Sequence, residues 1–128
     1  MAERIEEELA LLRHRYPGAK IGPGGSSILV EGWSLRNGWS AASTVVLVVV
    51  PPGYATTPPD NFYTGPDLRL ANGQEPGNSS LVDLLGSKWR QFSYHVEPSD
   101  WRPHATITEG HNLATFFQGV ERRLSEAS

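Results

Sequence analysis

Apolar residues recur at helical spacing near both ends of the chain and crowd at strand spacing between them. Ile5, Leu9, Leu12 and Tyr16 mark one face of a first helix, with Glu6, Glu7, Glu8 and Arg13 on the other. Pro17-Gly18 stops it. Toward the far end, Leu113, Phe116, Phe117, Val120 and Leu124 form a second apolar face, and Thr106 with Glu109 fits a capping box at its start. Between the helices, residues 27–35 and 42–50 read as strands joined through Arg36-Asn37-Gly38, where Asn-Gly is a hairpin signal. Residues 43–50 are apolar with little alternation, which predicts a strand covered on both faces, by a helix on one side and a loop on the other. A short strand is expected over 61–64. Residues 65–80, rich in Gly, Asn, Pro and Ser, read as an exposed loop, and 81–92 carry a short helix signal around Val82-Asp83-Leu84-Leu85. The order helix, strand meander, irregular segment, helix predicts an α+β fold, helices against one antiparallel sheet.

Composition narrows the chemistry. At 128 residues one domain, 1–128, is expected, and 38% hydrophobic with 20% charged residues fits a packed core rather than disorder. A net charge of -3 gives no footprint for nucleic acid or an anionic membrane. The run Val45 to Val50 is far too short to span a bilayer, and the start Met-Ala-Glu-Arg-Ile-Glu-Glu-Glu lacks the features of a signal peptide, so a cytoplasmic protein is expected. With no cysteine there is no disulfide, thiolate metal site or thiol nucleophile. His14, on the polar side of the first helix, and His104 and His111, which flank the start of the last, show no metal-ligand spacing, so no metal is expected. Gly22-Pro23-Gly24-Gly25 lacks the Gly-Lys-Ser/Thr ending of a phosphate loop, and no bound cofactor is expected. Pro51-Pro52-Gly53-Tyr54 matches a Pro-Pro-x-Tyr ligand but follows an apolar strand, where a structural turn with Tyr54 as its anchor is the simpler reading.

Three motifs in order carry a resemblance. Tyr54 is followed by Ala-Thr-Thr, Pro58-Pro59 and then Phe62; Trp101-Arg102-Pro103 precedes the last helix; and the element order runs helix, meander, proline-rich turn, irregular stretch, helix. Residues 1–124 in this way resemble ubiquitin-conjugating enzymes. The resemblance implies a UBC-like fold, although no segment matches the carboxy-terminal helices of eukaryotic members. It also implies a nucleophile eight positions before Trp101, and that position is Ser93, in Gln91-Phe92-Ser93-Tyr94-His95. A histidine just after the nucleophile and no His-Pro-Asn anywhere resemble the bacterial branch of the family. The stretch between Phe62 and Ser93 is longer than usual for the family.

By the resemblance, Ser93 would accept the carboxy terminus of a ubiquitin-like protein from an activating enzyme, which would consume the ATP, and pass it to a target. A serine hydroxyl needs an adjacent base where a thiol does not, and His95 is the candidate: in an extended segment positions i and i+2 face the same side. The exposed side of the first helix, with Glu6 and Arg13, is the expected docking face for the activating enzyme. Three explanations of the missing thiol stay open: an oxygen nucleophile forming an oxyester, a lost activity in a module that binds a ubiquitin-like protein or scaffolds a complex, or a serine replacing a native cysteine that would form a thioester. An unrelated α+β domain that binds a small ligand or a partner is the other class.

Overall fold

Helix α1 (Ala2–Leu12) and helix α2 (Leu113–Leu124) lie on one face of a six-stranded sheet in this computed structural model. It describes residues 2–128, without the side chain of Ala2; Met1, the start of the expected 1–128 domain and of the stretch read for a leader, lies outside the described residues. The strands are β1 (Ala19–Ile21), β2 (Ser27–Ser34), β3 (Ser43–Val49), β4 (Phe62–Thr64), β5 (Ser79–Leu84) and β6 (Ser87–Phe92). They pair in the order β1-β2-β3-β4-β6-β5, antiparallel throughout. Among the described residues, no helix is long and apolar enough to cross a membrane.

The apolar run of β3 is read out on both faces. Val46 and Val48 join Ile28, Val30, Phe62 and Phe92 beneath Leu9, Leu12, Phe116 and Phe117 of the helices. Leu47 points the other way and is buried with Tyr63 and Trp89, flanked by Leu29, Val45, Val49, Val82 and Leu84. Side chains of neighbouring strands make much of that second cover, and the turn at Gly22 comes close to it, where an added Cβ would lie 3.3 Å from Leu47. A bulge between Val30 and Trp33, with Gly32 at φ 69°, turns Trp33 back onto the helix side.

Several expectations are corrected. The hairpin signalled at Asn37-Gly38 forms, with β2 paired to β3 and Leu35 N–H donating to Ala42 O, but the connection is longer than the Asn-Gly signal implies, because Trp39 is too large and apolar to leave in water. It is buried, packs edge-on to Phe92 at 6.2 Å, bridges Leu70 and donates its indole N–H to Leu124 O. The helix signal around Val82–Leu85 fails, since residues 79–92 form the β5–β6 hairpin. Its turn, Leu85-Gly86, has positive φ at both positions (53° and 79°), as the type I′ class of two-residue hairpin loop requires. Thr106 and Glu109 do not cap α2 but bound a single 3-10 turn over Ile107–Glu109 with no side-chain cap. The cap of α2 is Asn112, whose side chain accepts from Thr115 N–H while the Thr115 hydroxyl accepts from Asn112 N–H. Residues 65–80 are less exposed than their composition suggests: Leu68 and Pro76 are buried, and Glu75 and Ser79 bind the fully buried Arg90. Strand β1 had no distinct sequence signal.

Glu8 departs most from its expected place. The helical spacing puts it on the polar face of α1, yet its side chain is fully buried. Its Oε1 accepts from the Tyr54 hydroxyl and from Leu113 N–H (2.6 Å), and its Oε2 from Arg4 Nε (2.7 Å). Burying a carboxylate is costly unless it is paired and hydrogen-bonded, and all three contacts supply that.

Candidate functional site

Strand β6 lies between β4 and β5, and its last residue, Phe92, pairs with Phe62 on one side and Ser79 on the other. Beyond it the chain stays extended, and exposure alternates: Ser93 and His95 face solvent, while Tyr94 and Val96 pack against the core. The extended spacing therefore puts Ser93 and His95 on the same, open side, as the sequence predicts. Two asparagines in left-handed conformation hold the segment. Asn61 (φ 63°) donates its N–H to Tyr94 O at 2.7 Å and accepts Tyr94 N–H on Oδ1, and Asn78 (φ 53°) accepts Ser93 N–H at 2.9 Å. The Ser93 amide is thus engaged and is not free to donate to a developing oxyanion.

Tyr94 anchors the two candidate residues between which it stands. Its ring meets Phe62 and Phe116 edge-on at 6.3 and 5.2 Å and lies directly over Gly119 of α2. A Cβ at Gly119 would come within 1.7 Å of the Tyr94 hydroxyl, so a mid-helix glycine is the condition for this docking.

His95 makes a contact the sequence did not announce. Its Nδ1 pairs with Oδ1 of Asp60, the residue after Pro58-Pro59. A carboxylate only accepts hydrogen bonds, so Nδ1 carries the proton and Nε2 is the nitrogen left to take one. Both side chains are well exposed, 63% and 68%, so the pair orients the ring more than it stabilises the fold. Among the described residues, Ser93 Oγ has no hydrogen-bond partner, and no hydrogen bond joins it to His95.

The turn bearing Asp60 is fastened on its other side. Tyr54 is buried against Glu8, and Ala55 O accepts the indole N–H of Trp101 at 2.7 Å. Burial, then the Glu8 carboxylate, push the Tyr54 hydroxyl well above the usual tyrosine range. Tyr54 is an anchor, and buried it offers no Pro-Pro-x-Tyr ligand. Trp101 ties its segment to this turn and stacks on His111 at 5.4 Å. Two other histidines have local partners: His111 Nδ1 accepts from Arg102 N–H and His104 Nδ1 from Thr106 N–H. Among the described residues, no three His, Cys, Asp or Glu side chains are grouped to hold a metal ion. A groove of about 510 Å³ lies elsewhere, lined by Arg15, Tyr16, Trp33, Arg36, Glu121 and Leu124 but by neither Ser93 nor His95.

The family model for prokaryotic E2 family E matches residues 8–127. The chain belongs to prokaryotic E2 family E. Comparison with curated proteins and with solved structures gives no match. The match spans the last turn and a half of α1, the whole sheet and α2, and the fold is the small α+β, UBC-like one of an E2. Membership places the chain, at a coarse level, in ubiquitin-like protein conjugation, where the general partners are a ubiquitin-like protein and its activating enzyme.

Proposed function

We propose that this member of prokaryotic E2 family E accepts the carboxy terminus of a ubiquitin-like protein as an oxyester on Ser93 and transfers it to an amine or hydroxyl of a target. The observation that carries the reading is the Asp60–His95 pair beside an exposed serine. Asp60 holds the protonated Nδ1, so Nε2 is free to act as the base. In loading, Ser93 Oγ attacks the activated acyl carbon, its proton passes to Nε2, the new C–O bond forms and the leaving group departs, taking the proton from the imidazolium. In transfer, the incoming amine or hydroxyl attacks the ester carbon and gives its proton to Nε2, the C–O bond to Ser93 breaks, and Ser93 Oγ leaves with the proton of the imidazolium. The absence of a Ser93–His95 hydrogen bond in the unloaded chain is compatible with this, since catalytic contacts often tighten only with substrate bound. The exposed side of α1, where Glu6 stands, with Arg13 just beyond its end, is the docking face in this reading.

Mixing the chain with a ubiquitin-like protein, an activating enzyme and ATP tests it. A covalent adduct that survives thiol reductant, breaks in mild base and is lost in Ser93→Ala is the expected result. Tight binding with no adduct would instead make the chain a non-catalytic module. Asp60→Asn keeps the size and removes the charge, so His95 loses its fixed tautomer. Adduct formation should slow about 10- to 100-fold, with the melting temperature nearly unchanged because both residues are exposed. An unaltered rate would remove Asp60 from the site.

A further inference from the structure

Glu8 is a fully buried ionisable group for which the transfer reaction has no use, and it sits on a helix that carries no reacting group. Holding a helix to a sheet does not need a carboxylate; a leucine would do so without the several kcal/mol that burying a charge costs. A carboxylate gives direction that a leucine cannot. From one side chain, Glu8 reaches Tyr54 in the 51–59 turn and Leu113 N–H at the first turn of α2. Arg4, the third donor to Glu8, extends the tie by donating Nη1 to His104 O at 2.7 Å, in the segment that follows Trp101. The negative charge also sits where the amide-rich start of a helix favours it.

The geometry of the turn gives these ties a direction of action. Tyr54 is held by Glu8 and Ala55 O by Trp101; two prolines follow at 58 and 59, and the next residue is Asp60, the carboxylate on His95 Nδ1. Proline fixes φ, so the diproline passes on the position of its start more faithfully than a flexible linker would. We infer that Glu8 is a positioning residue for the candidate site: through Tyr54 it sets where the diproline delivers Asp60, and so how His95 is aimed. The inference rests on the reading of Ser93 and His95 proposed above. It extends that reading to a residue that touches neither of them.

The test uses the full chain with two mild variants, because Glu8→Ala removes every tie at once and threatens folding. Glu8→Gln keeps the volume and one acceptor oxygen but loses the charge, and Tyr54→Phe removes only the hydroxyl. Well below their melting temperatures, both should keep the wild-type circular dichroism and the same half-saturating concentration of ubiquitin-like protein, while the maximal rate of adduct formation falls about tenfold. The double variant should be no slower than the slower single one, since both act through one tie. Independently, the His95 ring resonances should shift in both variants, although the ring lies in neither substituted contact. Wild-type rates with unmoved His95 signals would overturn the positioning role. If the wild-type chain itself forms no adduct, the oxyester reading fails, and the His95 resonances alone decide whether Glu8 reaches the Asp60–His95 pair.

Discussion

Gly119 stands in the middle of α2, where glycine costs about 0.5–1 kcal/mol relative to alanine, and the ring of Tyr94 explains it. Gly119→Ala should gain that propensity and lose more, because the methyl must displace a ring wedged between Phe62 and Phe116. A net loss of about 1–3 kcal/mol in urea unfolding is expected, with altered signals for Ser93 and His95 on either side of Tyr94. The tyrosines also set an alkaline limit. Burial first, with hydrogen bonds to Glu121 and Glu8, raises the ionisation of Tyr16 and Tyr54, and burial does the same for Tyr63. A raised folded-state pKa means the protonated form is favoured by folding, so this stability is complete below the ordinary tyrosine value of about 10 and drains away as pH climbs above it. Ultraviolet titration should therefore show these three tyrosines ionising late, together with unfolding; their early titration in the folded chain would contradict the packing. Glu121 works in the opposite sense. Burial alone would raise it, but Arg15 and Tyr16 hold it below its usual value, so its contribution is present above the unfolded-state value and is lost as pH falls through the folded one. At this scale the shared open side of Ser93 and His95 and the packing role of Tyr54 were legible, the first from the strand period and the second from the tyrosine's place after an apolar strand. Glu8 was not legible: a carboxylate at the edge of the apolar stripe reads as solvated, and the donors that hold it buried, Tyr54 and Leu113 N–H, are distant in the chain. Asp60 was not legible, since its partner is 35 residues away and only strand pairing brings the two together.

The elements were read correctly where periodicity was strong, and missed where chemistry at a single position decides. The apolar face of α2 is the predicted one, yet its start is not, because Ser/Thr-x-x-Glu is common and only the fold determines which candidate sits at the true end. Asn112 should therefore matter and Thr106 should not. Asn112→Ala removes an acceptor for Thr115 N–H and a donor to Ile107 O, and should cost about 1–2 kcal/mol in urea unfolding. Thr106→Ala should cost little, since its side chain makes no capping bond. Equal losses would mean that α2 begins elsewhere. The β5–β6 hairpin was hidden because Leu85 is an unusual residue for positive φ, and a Leu-Leu-Gly sequence reads as a helix end as readily as a turn. Pairing with β4 on the far side of β6 supplies the register that the local sequence withholds.

Across the whole molecule, the sheet and the helices divide the work. One face of the sheet, under α1 and α2, carries the core; from it Tyr94 and Val96 pull the Ser93–His95 segment taut while leaving its outer side open. The order helix, meander, proline turn, helix was visible in the sequence and is the order observed, except that the stretch read as irregular before the last helix contains the β5–β6 hairpin. The 65–80 segment was not foreseen as a structural part, because its anchors, Leu68, Leu70, Glu75 and Pro76, are scattered among turn residues. The proposed role of the Ser93 oxygen as nucleophile is tested most directly by exchanging the atom at position 93. Wild type and Ser93→Cys are each loaded from the same activating enzyme and ubiquitin-like protein, then treated with thiol reductant. The wild-type adduct should survive reductant and be cleaved by mild base, while the Ser93→Cys adduct should be released by reductant. No wild-type adduct beside an efficient Ser93→Cys adduct, or a wild-type adduct that persists in Ser93→Ala, would contradict it.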